Sequence, residues 1–314
     1  MENSFQNILD SSQITIRHIS SFAEYTAYID NTKGLQASRR QHMTRLAQSL
    51  HSFTVPGKCF VCGKDVEFSM KIPSGDGRGV RPLNWREGLK CPDCRFNNRT
   101  RATIHILQQE CLPSQDAAIY MTEQTTRLFR FVKENYPSTV GSEYLGDEVP
   151  FGQLNAKGIR NESVTGLTFP DNSLDFILSF DVFEHAPDYL KGFAECLRCL
   201  KPAGRLLFSV PFIAKNESTL VRAAVGADGT VTHLLPPEYH GDPINSKGCL
   251  CFYHFGWDML GCLSDSGFEK AEALLYWSID FAYLGNADQI IFLAIKPSTT
   301  PCSPHSTREM RACR

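Results

Sequence analysis

No run of about 18 apolar residues occurs in the chain, so no stretch of it can cross a bilayer as a helix. The first residues, MENSFQNILDSSQ, lack a basic segment followed by an apolar one, which excludes a secretory signal there. Excess charge is lacking too: 32 Lys and Arg against 34 Asp and Glu leave a net charge of −2. The whole-chain balance therefore offers no field for nucleic acid or an anionic membrane. Apolar residues make up 42% and charged residues 21%, which argues against global disorder. A length of 314 residues suffices for one large domain and a small one. These features lead us to expect a cytoplasmic protein without a membrane span.

Cysteine, by contrast, is plentiful: there are twelve. Disulfides are rare in a reducing cytosol, so the thiols need another explanation. Cys59-Phe-Val-Cys62 and Cys91-Pro-Asp-Cys94 are two C-x-x-C pairs separated by 28 residues. Two such knuckles supply four thiolates for one tetrahedral zinc, and Gly63 suits the turn after the first pair. The intervening residues are too poor in apolar side chains for a core, so a structural Zn2+ would contribute much of the folding energy. The spacing is long for a zinc ribbon, and the loop SGDGRGVRP (74–82) would absorb the excess. Between Pro56 and Arg101 there are ten Lys and Arg against five Asp and Glu. That local excess keeps a nucleic-acid reader open, but solvated charge on a structural ribbon is the simpler reading. Cys196 and Cys199 form a third C-x-x-C inside an expected helix, where core packing explains them.

The most patterned stretch runs from Val164 to Phe212. DFILSF (175–180) is a short apolar run, as in a strand buried on both faces. Asp188 is placed to cap a helix in which Leu190, Phe193, Leu197 and Leu200 share one side. Lys201-Pro202-Ala203-Gly204 should stop that helix before the strand RLLFSVPF (205–212). Strand, helix and strand make a parallel βαβ unit, which binds ligands beyond the carboxyl ends of its strands.

LTFPDNSLD, SFDVFEH and LKPAGRLLFSVPF, in that order, resemble the middle of a class I S-adenosylmethionine-dependent methyltransferase, with Ala203 in place of a glycine. The resemblance extends over about residues 115–296. CPDCRFNNRTR further resembles a subgroup with an N-terminal zinc ribbon, found beside polysaccharide-assembly enzymes. It implies an α/β, Rossmann-like seven-stranded sheet with helices on both faces. The expected layout is a helical arm over 1–54, a zinc ribbon over 55–100, a methyltransferase domain over 101–296 and a disordered tail over 297–314. The tail is polar and rich in Pro, Ser and Thr.

The resemblance also implies a site for S-adenosyl-L-methionine. AAIYM (117–121) would be the first strand, and Met121, Thr122 and Glu123 would meet the methionine end of the cofactor. The family carries glycines in this turn; here none occurs between Ala117 and Gly141. Glu143, 20 residues after Glu123, would hold the ribose hydroxyls. Glu162, Ser163 and Val164 would approach the adenine, and Phe180 and Asp181 would line the end of the central strand. His185 follows that strand and is a candidate general base, as is His240 further on.

Residues 213–257 interrupt the pattern with a dense set of His, Tyr and acidic side chains, suited to an acceptor site. A second metal through His240, Asp242 and His254 lacks any tight H-x-x-x-H spacing. The expected activity is methyl transfer to an oxygen or nitrogen of a small-molecule or saccharide acceptor. A non-catalytic scaffold and a nucleic-acid methyltransferase guided by the basic ribbon remain alternatives.

Overall fold

The computed structural model describes residues 14–47, 52–71, 83–242, 244 and 247–299. The loop expected over 74–82, Cys302, Cys313 and most of the expected tail lie outside the described residues.

The N-terminal arm gives strand β1 (Ile16–Ile19) and helices α1 (Phe22–Asn31) and α2 (Lys33–Leu46). A hairpin of β2 (Phe53–Cys59) and β3 (Lys64–Met70) follows, then α3 (Trp85–Gly88), β4 (Leu89–Lys90) and α4 (Asn98–Ile106). Next come β5 (Ile119–Met121), α5 (Arg127–Asn135), β6 (Val140–Gly141), β7 (Leu174–Phe180), α6 (Tyr189–Cys199) and β8 (Leu200–Ser209). The insertion holds six short strands: β9 (Leu220–Val221), β10 (Ala223–Val225), β11 (Val231–His233), β12 (Tyr239–His240), β13 (Cys249–Leu250) and β14 (Tyr253–His254). Helix α7 (Asp258–Asp265) and strands β15 (Lys270–Tyr276) and β16 (Gln289–Ile295) complete the described chain. No helix among the described residues is long and apolar enough to cross a membrane.

Seven strands form a mixed, Rossmann-like sheet in the order β1-β15-β16-β8-β7-β5-β6. The four strands β6, β5, β7 and β8 are parallel to one another. From β5 the chain steps one way along the sheet to β6, and from β7 the opposite way to β8. Right-handed crossovers then put α5 and α6 on opposite faces. The direction reverses between β5 and β7, so the ligand crevice of such a sheet lies beyond their carboxyl ends. Strand β16 runs antiparallel to β8.

Two details differ from the sequence reading. The arm is not wholly helical: Ile16–Ile19 pairs antiparallel with β15, Ile16 facing Tyr276. Gly285-Asn286, which reads in the sequence as a hairpin signal between the last two strands, does not close a tight hairpin either, because β15 ends at Tyr276 and β16 begins at Gln289. Residues of the intervening loop, Ala282 and Leu284, instead pack with Val55, Cys59, Phe68, Trp85 and Cys91 in one apolar cluster. The described residues form two compact units, one within 1–19, 23–112 and 273–291, the other within 20–22, 113–272 and 292–314.

Within the second unit, β7 is buried along Phe176–Ser179, as a strand covered on both faces must be. Asp188 caps α6 by accepting from the Lys191 amide at 3.0 Å. The buried side of α6 is Gly192, Phe193, Cys196 and Cys199, whereas Leu190 is exposed. The cysteines are thus packed core residues, and burial pushes the Cys199 thiol up to about 11.

Helix α6 ends before Lys201, and Lys201-Pro202-Ala203-Gly204 already belongs to β8. Ala203 has φ +61°, a left-handed conformation that costs a Cβ-bearing residue about 1–2 kcal/mol. Ala203→Gly should therefore stabilise the protein by about 1 kcal/mol after the added freedom of the unfolded chain is deducted. Denaturant unfolding checks this: the midpoint should rise with an unchanged slope, and a fall would refute it.

Candidate functional site

The turn after β5 carries the sequence's largest departure from the resembled family. The Thr122 amide continues the strand by donating to the Leu178 carbonyl (3.1 Å), and Thr126 then caps α5 by accepting from the Phe129 amide (3.1 Å). None of Thr122 to Thr126 has a positive φ, so this backbone path does not require glycine. A single carboxylate oxygen shapes it. Glu143 Oε1 accepts from the amides of Gln124 and Thr125 (both 2.9 Å) and from Thr125 Oγ1 (2.8 Å). The demand for a missing Cβ has moved to β6, where one added to Gly141 would lie 2.7 Å from the Glu123 carbonyl oxygen and 2.5 Å from the Phe129 ring.

Glu143 is only 8% exposed, and its Oε2 accepts no hydrogen bond from the described residues. It therefore braces the turn with one oxygen only. The loop of 158–163 is tied to it, since the Glu143 amide donates to the Arg160 carbonyl and the Glu162 amide to the Glu143 carbonyl. Gln124 adds a second tie, donating to the Gly158 carbonyl and accepting from the Arg160 amide.

The other expected cofactor residues divide. Met121 is fully buried between β6 and β7, and its carbonyl accepts from the Ser142 amide. Glu162 is spent as well: Arg160 holds Oε1, Thr168 donates to both oxygens, and the residue is 3% exposed. Thr122, Glu123, Ser163 and Val164 are partly exposed, and Ser163 Oγ lies 2.9 Å from Thr165 Oγ1. Phe180 and Asp181 end β7 half-buried. Asp181 stands at φ +56° with its amide on the Ser209 carbonyl and Oδ1 accepting from Ser209 Oγ (2.9 Å). Strained backbone at a strand end, held by a neighbouring strand, is common where a side chain must be aimed.

His185 and His240 come together although 55 positions separate them in the chain. Their ring centroids are 4.9 Å apart at 85°. Both face Glu184, which the sequence reading passed over as half of an E-H pair. Glu184 Oε1 lies 3.6 Å from His185 Nε2 and 3.4 Å from His240 Nδ1. Glu238 is a second hub, with Oε1 near His240 Nε2 (3.1 Å) and His254 Nε2 (3.2 Å) and Oε2 near Arg222 (3.0 Å). In the metal-free chain the Cys251 thiol, followed by the Glu184 and Glu238 carboxylates, raises the pKa of His240. Asp242 does not join His240 and His254; it accepts from Cys249 Sγ and from the Ile244 amide.

The four ribbon cysteines also converge, in the first unit. Cys59 Sγ lies 3.8 Å from Cys94 Sγ, Cys62 Sγ lies 3.8 Å from Cys91 Sγ, and all four sulfurs fall within 4.8 Å of one another. A tetrahedron of sulfurs about 2.3 Å from zinc has edges of about 3.8 Å, so the donor set fits the ion. Arg101 backs it. This residue is fully buried, stacks its guanidinium 3.8 Å from the Phe68 ring centre, and donates to the carbonyls of Phe281 and Ala282. Burial lowers its pKa while the charges of Tyr283 and then of Cys59, Cys91 and Cys94 oppose that shift. A cation buried beside thiolates offsets part of their charge, a role no spacing rule reveals.

Comparison with known proteins agrees with the arrangement of the second unit. Residues 126–208 match the family described as a methyltransferase domain. A Mycolicibacterium smegmatis protein, named a probable S-adenosylmethionine-dependent methyltransferase, is 34% identical over 76 residues. That match covers 23% of this chain and 29% of the relative's own length. An S-adenosylmethionine-dependent methyltransferase from Mesorhizobium loti superposes with a TM-score of 0.36 at 17% identity, covering 59% of this chain and 93% of the other. The 1,6-didemethyltoxoflavin-N1-methyltransferase of Burkholderia thailandensis gives 0.36 at 16%, over 63% and 78% of the two chains. At such scores the fold assignment rests on strand order and direction, not on the superpositions.

Proposed function

We propose that this protein transfers a methyl group from S-adenosyl-L-methionine to an oxygen or nitrogen of a small-molecule or glycan-type acceptor. The observation that carries the reading is Glu143, a nearly buried carboxylate at the end of β6, with Oε1 on the turn after β5 and Oε2 uncommitted. It stands where a dinucleotide-type fold holds ribose hydroxyls, beside the helix N-terminus at the point where the strand order reverses. Glu143 Oε2 would take the ribose, Ser163 and Val164 the adenine, and Thr122 and Glu123 the methionine end. Phe180 and Asp181 would border the transferred methyl. The cofactor supplies a sulfonium-bound methyl that needs alignment with the acceptor more than proton transfer. We therefore give His185 and His240 a place in holding the acceptor, within the 213–257 insertion, in preference to the role of base. In the first unit, we propose that Cys59, Cys62, Cys91 and Cys94 hold a structural zinc.

Calorimetric titration of the zinc-replete full chain with S-adenosylmethionine and S-adenosylhomocysteine tests the reading. Micromolar dissociation constants are expected for both. Absence of heat and of any thermal shift at millimolar ligand would sink methyl transfer and leave a zinc-braced scaffold.

A further inference from the structure

We infer that Glu184, His185 and His240 form a second metal-binding site, for a divalent first-row transition ion of the zinc type. It is separate from the cysteine cluster and does not depend on the methyl-transfer reading. Glu184 is 0% exposed, and among the described residues neither of its carboxylate oxygens has a hydrogen-bond partner. A carboxylate taken out of water without donors costs several kcal/mol unless a cation compensates it. Two ring nitrogens face its Oε1, His240 Nδ1 at 3.4 Å and His185 Nε2 at 3.6 Å. Both separations are long for hydrogen bonds. They match the edge of a tetrahedron whose ligands lie about 2.1 Å from its centre, which is about 3.4 Å for zinc with nitrogen and oxygen donors.

The opposite ring nitrogens fix the tautomers. His185 Nδ1 lies 2.8 Å from the Leu250 carbonyl oxygen, a pure acceptor, so it carries the proton and Nε2 carries the lone pair. His240 Nε2 lies 3.1 Å from Glu238 Oε1, and a proton there leaves the lone pair on Nδ1. Metal-bound histidines are held in this way, by a carbonyl or a carboxylate on the far nitrogen. Glu238 is itself held by Arg222 and His254, so the supporting shell is complete. Two histidines and one carboxylate leave at least one coordination position open, and an oxygen or nitrogen donor of a small ligand would take it.

Zinc content and a cobalt spectrum of the full chain decide the matter. Protein loaded with zinc and freed of excess should hold two equivalents, and Glu184→Gln and His240→Ala should each hold one. Should either variant fold poorly, cobalt in the native chain remains decisive. One equivalent should show the intense sulfur-to-cobalt charge transfer of four thiolates. The second should show only the weaker visible bands of nitrogen and oxygen ligands. A single equivalent in the native chain would overturn the inference, as would a second equivalent with sulfur charge transfer, which would assign the ion to Cys251. If S-adenosylmethionine fails to bind protein holding two equivalents, methyl transfer falls and the metal site stands.

Discussion

Cys91→Ser is expected to abolish metal binding at the cysteine cluster and to unfold the β2–β3–β4 module. Structural zinc in such sites contributes about 10–16 kcal/mol at neutral pH, as much as the entire stability of an ordinary domain. The surroundings add to the loss. Cys59 and Cys91 are themselves core residues, packed with Phe68, Met70, Trp85 and Leu89. Arg101, buried beside the sulfurs, would be left as an uncompensated cation. Hydrogen exchange should report loss of amide protection in Phe53–Cys59 and Lys64–Met70, and a zinc chelator acting on the native chain should reproduce it. Full protection in a zinc-free variant would show that packing alone holds the module.

Glu143→Ala should weaken S-adenosylmethionine binding by about 100-fold or more. Two hydrogen bonds from ribose hydroxyls to a carboxylate are worth about 1.5–3 kcal/mol each, and about 3 kcal/mol in total is already 100-fold. The same change strips an acceptor from the Gln124 and Thr125 amides and from Thr125 Oγ1, so thermal stability should fall by about 1–3 kcal/mol. Glu143→Gln separates the two effects. Its amide oxygen can still accept from the turn, so stability should hold while affinity drops about tenfold with the lost charge. An unchanged dissociation constant in Glu143→Ala would remove Glu143 from the cofactor site.

The cysteine cluster was legible because a C-x-x-C knuckle is local: each pair is already neighbouring in the chain, and only the meeting of two pairs needed the fold. The position of Glu143 beside the β5 turn was legible for a similar reason, since its distance from that turn follows from one strand, one helix and one more strand. A sequence shows where glycine is absent, not where backbone must approach backbone. Here that approach is at Gly141, under the turn and not within it. What the sequence could not show is that Met121 is packed in the core and that Glu162 is held by Arg160 and Thr168.

What the chain determined by itself is what depends on neighbours within a few residues. The buried β7, the Asp188 cap, the βαβ order and the two thiol knuckles all follow from periodicity and spacing. The tertiary structure alone decided which distant side chains share one point: Ile16–Ile19 on β15, Arg101 beside the sulfurs, and Glu184 with His185 and His240. The physical reason is burial. Removing Glu184 from water makes its partners matter, and which residues remove it from water is settled only when the insertion returns His240 to the end of β7.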